Sequence, residues 1–99
     1  MYGLIWKMRA KPGEREALIR IILQSCDTMP GCLSYVVARD LGDADVIWVT
    51  EVWDNEESHK ASLALPAVQA AIASAMPIIA GFESHVVTQP ACGLGLAKV

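Results

Sequence analysis

Eight consecutive residues, Val46-Ile47-Trp48-Val49-Thr50-Glu51-Val52-Trp53, are β-branched or aromatic apart from one glutamate and contain neither Gly nor Pro. That composition belongs to a strand buried inside a sheet. A helix is expected directly after it, because Asp54 can accept backbone N–H bonds at an N-cap while Glu57, three residues on, reaches back in an approximate capping box. Ser58-His59-Lys60-Ala61-Ser62-Leu63 then form the short helix. This corner sets Trp53, Asn55, His59 and Ser62 at the edge of whatever cavity lies between sheet and helices.

The flanking chain supplies the rest of a scaffold. Between residues 3 and 9, Leu4, Trp6 and Met8 alternate with Lys7 and Arg9, the pattern of a half-buried strand. Lys11-Pro12-Gly13 breaks it, and from Glu14 to about Asp27 the positions Leu18, Ile21, Ile22 and Ser25/Cys26 recur at helical spacing. Met29-Pro30-Gly31 stops that helix, and a second strand is expected from Cys32 to Arg39. Asp40 to Asp45 is polar and contains Gly42, so the second and third strands form a hairpin with a longer loop. Pro66 suits the first turn of a nearly all-apolar helix through Met76, and Phe82 to Thr88 alternates as a fourth strand. The β-α-β-β-α-β order is that of the ferredoxin-like split βαβ arrangement, an α+β fold with an antiparallel sheet. Residues 1–90 make one domain, and 91–99 read as an irregular C-terminal arm.

Composition narrows the function classes. With 54% hydrophobic and 19% charged residues, this 99-residue chain carries more apolar surface than one small domain buries well. A second copy is the simplest cover, so a homodimer is expected. No run reaches the roughly 18 apolar residues of a membrane span. A net charge of −3 without a basic cluster argues against nucleic acid as a partner. Met1-Tyr2-Gly3-Leu4 carries no basic segment or small-residue cleavage pattern, so a cytoplasmic location is expected. Cys26, Cys32 and Cys92 form neither a zinc pattern nor a nucleophile motif and read as free thiols.

Four sets of residues, at these spacings, resemble the antibiotic biosynthesis monooxygenase family: Lys11-Pro12-Gly13, Pro30-Gly31-Cys32, Glu51-Val52-Trp53 followed by Glu56-Glu57, and Pro66. The resemblance runs from about Tyr2 to Gln89. It implies a dimeric α+β barrel in which two sheets pair face to face, with one substrate pocket per subunit between sheet and helices. It also implies cofactor-free oxygenation of quinols or anthrones. The family commonly has a His nine residues after the Trp, where this chain has Ser62, and His59 stands six after Trp53. The haem-degrading branch of the same superfamily uses Asn, Trp and His at positions that here hold Trp6, Ser62 and Ile72. Ile cannot ligate iron, so that activity is disfavoured.

No dinucleotide fingerprint, P-loop, zinc or flavin signature is present, so redox chemistry has to be carried by the substrate, with no cofactor. An electron-rich quinol or anthrone can reduce oxygen once deprotonated. His59 is the candidate base because an imidazole titrates near neutrality. Ser62 and Asn55 are candidate oxygen-directed donors, Trp6 and Trp53 candidate walls for a flat aromatic substrate, and Tyr35 and Met76 further wall positions. Trp48 reads as core or interface packing, and His85 as structural or surface. Glu51 is costly in a buried strand, so it needs a partner such as Lys7 or Arg9 or else a shifted pKa, and a structural ion pair across strands is the expected outcome. Two rival functions use the same fold: a barrel that binds or isomerises a small ketone or lactone, and a module without chemistry whose pocket is filled by Trp and Met side chains.

Overall fold

The computed structural model describes residues 1–26 and 29–96. Its strands are β1 (Tyr2–Ala10), β2 (Cys32–Arg39), β3 (Val46–Trp53) and β4 (Ile79–Thr88). The helices are α1 (Arg15–Gln24), α2 (Glu56–Ser62) and α3 (Pro66–Ala75), and one 3₁₀ turn, Met76–Ile78, leads into β4. The sheet order is β2-β3-β1-β4, with every pairing antiparallel. The β1–α1–β2 crossover leaves a gap that β3 fills, which is the ferredoxin-like arrangement expected from the element order. β2 has the expected limits, and Pro66 opens α3 as its missing donor allows. α1 ends at Gln24; the last residue expected in it, Asp27, lies outside the described residues, as do Ala97 to Val99 of the expected arm.

Register fixes which side chains share a face. Leu4, Trp6 and Met8 of β1 lie opposite Glu51, Val49 and Ile47 of β3, all towards the helices. Lys7 and Arg9 therefore point to the open face, where Arg9 bonds Asp43 and Glu83, each at 2.8 Å, and Lys7 stands 3.6 Å from Glu83. The expected pairing of Glu51 with Lys7 or Arg9 is thus corrected: the residues occupy opposite faces of one sheet. Trp48 also lies on the open face, its indole N–H donating to Asp40 at 2.8 Å.

The helix-side layer is filled at one end. Ala10, Leu18, Ile19, Ile47, Val49 and Ala75 pack together as the buried core. No helix among the described residues is long and apolar enough to cross a membrane. Cys32 and Cys92 are not joined in a disulfide.

Candidate functional site

At the other end of the same layer, the side chains leave a cavity of about 440 Å³. That volume lies within the range of small-molecule sites. The second strand-to-helix corner closes it on one side. Trp53 ends β3, and α2 begins at Glu56 with Asn55 as its N-cap, Oδ1 accepting the Ser58 N–H at 2.8 Å. The expected cap was Asp54, one residue earlier; its Oδ1 instead accepts the Asn55 N–H at 2.8 Å. Gly31, at φ +84°, passes this corner so closely that a Cβ there would stand 2.5 Å from Ser58 Oγ. A side chain at that position would displace the helix that carries His59.

α2 then delivers two of the expected site residues. His59 and Ser62 both line the cavity, three residues apart on one helix face. The His59 ring packs edge-on against Trp53 at 5.4 Å and tilted against Tyr2 at 5.7 Å. Burial, with His85 as a second cause, lowers its pKa below the usual 6.5, so the imidazole is neutral near pH 7 and able to accept a proton. Ser62 is only 4% exposed, and its hydroxyl donates to the His59 carbonyl at 2.6 Å. That back-bond uses its proton within the helix, leaving its oxygen as an acceptor. Asn55 is not among the lining residues: its side-chain oxygen is spent on the N-cap of α2.

The walls are aromatic and apolar. Trp6, Trp53, Tyr35 and Met76 all line the cavity, Trp53 almost wholly buried and Met76 half exposed at the mouth. Leu63, Ile72 and Phe82 share that apolar rim. Two features escape a reading of the sequence. His85 also lines the cavity and stacks on Trp6 at 3.8 Å. It gets there through a bulge: Lys7 pairs with Ser84 and Met8 with Phe82, so Glu83 is looped out and Phe82 and His85 fall on one face. Nothing in the local sequence, FESHVVT, announces it.

Glu51 is the other. It is 7% exposed, lines the cavity, and accepts the Trp53 indole N–H at 3.0 Å. Burial raises its pKa above the usual 4.5, outweighing the opposing hydrogen bonds from the Trp53 and Trp6 indoles. Tyr35, opposite it on β2, is likewise pushed up by burial first and by Glu51 second. The hollow therefore holds a neutral imidazole at its side and a carboxyl at its floor, inside apolar walls. No group of described residues could hold a metal ion.

The fold and site together define a ferredoxin-like α+β domain with an aromatic-walled pocket between its sheet and helices. More narrowly, the chain belongs to the antibiotic biosynthesis monooxygenase family, whose model matches residues 1–74. A solved structure from Chloroflexus aurantiacus J-10-fl, named for the same family, is 59% identical, with a TM-score of 0.95 and coverage of 97% of this chain and 98% of that one. A family-named structure from Deinococcus radiodurans has the same fold at 24% identity, TM-score 0.78, covering 94% and 95% of the two chains. One from Nitrosomonas europaea does so at 14% identity, TM-score 0.83, covering 93% and 100%. No curated protein matches the chain. These likenesses bear on fold and family and support a monooxygenase-type role.

Proposed function

We propose that the protein is a cofactor-independent monooxygenase acting on a small quinol- or anthrone-type aromatic with molecular oxygen. The observation that carries this reading is His59, a neutral imidazole facing an apolar cavity large enough for a fused-ring aromatic. His59 takes the proton of the bound phenol or enol. The resulting electron-rich anion reacts with oxygen at ring carbon; one oxygen atom stays as the new carbonyl and the other leaves as water. Trp6 and Trp53 hold the ring flat, and the scarcity of water keeps the anion reactive. Ser62, whose proton is engaged by the His59 carbonyl, offers the substrate an acceptor.

The working unit in this reading is a cytoplasmic homodimer. Its support is the open face of the sheet, where Val36 and Val86 are about half exposed. A module whose pocket is plugged by its own side chains is disfavoured by the open volume. Oxygen uptake with a panel of hydroquinones and anthrone tests the reading. Turnover is expected in the wild type and a loss of about 100-fold or more in His59→Ala with secondary structure intact. Uptake at the wild-type rate in that variant removes His59 from the reaction. Tight binding of ketones without any uptake favours the isomerase or binding role instead.

A further inference from the structure

Among the described residues, Glu51 is the one carboxyl that lines the cavity, and its surroundings are unusual for a structural acid. An acid buried for stability is normally met by a cation or a run of backbone N–H groups. Here the hydrogen bond it accepts among the described residues comes from the indole N–H of Trp53, at 3.0 Å, with the Trp6 indole N–H as a weaker second partner. Both partners only donate. When the carboxyl is protonated, these bonds leave its own O–H without an acceptor among the described residues, in a space lined mostly by apolar side chains. A buried donor in that position is completed by an acceptor atom on whatever fills the hollow.

We propose that Glu51 is the specificity group of the cavity, its carboxylic acid O–H donating to a carbonyl or phenolic oxygen at the buried end of an aromatic ligand. The inference rests on the reading of the cavity as a substrate site and adds which ligands it prefers: flat rings with an oxygen acceptor at the inner end, over hydrocarbons of the same shape. The buried fixed donor makes this a discrimination by an unmet hydrogen bond, the kind that rejects the isostere lacking the oxygen more strongly than shape alone does. In the proposed reaction the same contact draws charge onto that oxygen as His59 removes the proton.

The preference depends on the proton. Among the described residues, the other titratable groups lining the hollow are Tyr2 on β1, Tyr35 on β2, His59 on α2 and His85 on β4, with Cys32 on β2 and Cys26 beyond α1 close to its floor. Burial pushes the Cys32 thiol up to about 11, and Tyr35 is raised as well, so both stay neutral between pH 5 and 9. The α3 sequence contains no charged residue. Comparison of Glu51→Gln with the wild type removes the imidazoles from the result, because both proteins keep them.

Equilibrium dialysis with menadione and 2-methylnaphthalene, a matched pair with and without ring oxygens, tests the proposal without any turnover. The wild type is expected to bind menadione about tenfold more tightly or better, with the preference shrinking as pH rises and Glu51 ionises. Glu51→Gln, whose amide still donates, keeps most of the preference and loses its pH dependence; Glu51→Leu binds the two compounds within about twofold. Equal binding by the wild type, binding of neither, or the same pH-dependent preference in Glu51→Gln overturns the assignment. Failure of the oxygenase reading is seen separately, as absent oxygen uptake while this preference persists.

Discussion

One layer of side chains lies between the sheet and its helices, yet its two ends differ. At the end where Leu18 and Ile19 of α1 meet Ile47 and Val49 of β3, the layer is solid. At the end where Leu4, Trp6 and Trp53 face α2 and α3, it is hollow. The strands are the same, so the difference comes from the covering helices. α1 sends Leu18 and Ile19 down onto the sheet, whereas α2 has only seven residues and α3 sets the small Ala71 between Val68 and Ile72 over the hollow. Stability is thus concentrated at one end and a ligand space is left at the other.

The comparison can be broken at several points. Leu18→Ala, at a fully buried position of the solid end, should cost about 3 kcal/mol in urea unfolding, because a cavity opens where the structure cannot collapse. The same truncation at the rim, Leu63→Ala, should cost less than about 1 kcal/mol, since that side chain is half exposed. Equal costs would erase the distinction between the ends. Ala71→Phe sharpens it from the other side: ring volume added at the hollow end should weaken menadione binding tenfold or more while moving unfolding free energy by no more than about 1 kcal/mol. A large loss of stability there would mean that the space is already occupied by packing.

Smaller effects are expected at the corner and in the pH profile. Asn55→Ala should cost about 1 kcal/mol through loss of the Ser58 bond, as an N-cap does. Asn55→Ser, which restores a capping oxygen but no amide, should recover most of that stability and the activity with it; recovery of stability alone would return Asn55 to the list of substrate donors. Glu51 and His59 should affect pH-dependent stability in opposite senses. The folded-state pKa of Glu51 is raised, so its stabilising contribution is full below about 4.5 and is lost as pH climbs through the folded value. That of His59 is lowered, so its contribution is present above 6.5 and lost as pH falls through its folded value. Urea titrations of Glu51→Gln and His59→Gln should each flatten only their own limb of the profile.

Much of the scaffold was legible because local chemistry agrees with the fold. Pro66 marks the start of α3, Pro30-Gly31 clears the way for β2, and the unbroken β-branched run is β3. The site was legible where it depends on periodicity: His59 and Ser62 share a helix face, and Trp6 alternates inward. It was not legible where it depends on register. Pairing Glu51 with Lys7 or Arg9 overlooked that Leu4 faces Glu51 across β1, so the odd-numbered basic residues lie on the other side. His85 needed the bulge at Glu83, which local sequence does not announce. Asp54 and Asn55 are both able to cap, and one residue decided whether the asparagine amide faced a ligand or a helix end.

The central claim is that the hollow end receives a flat aromatic molecule beside His59. A crystal structure of the protein soaked with menadione reads it most directly. The account predicts density for the ring between Trp6 and Trp53, one carbonyl at hydrogen-bond distance from Glu51 and the other end open towards His59. Ligand bound only outside the hollow, or Trp and Met side chains swung inward to fill it, would contradict the account.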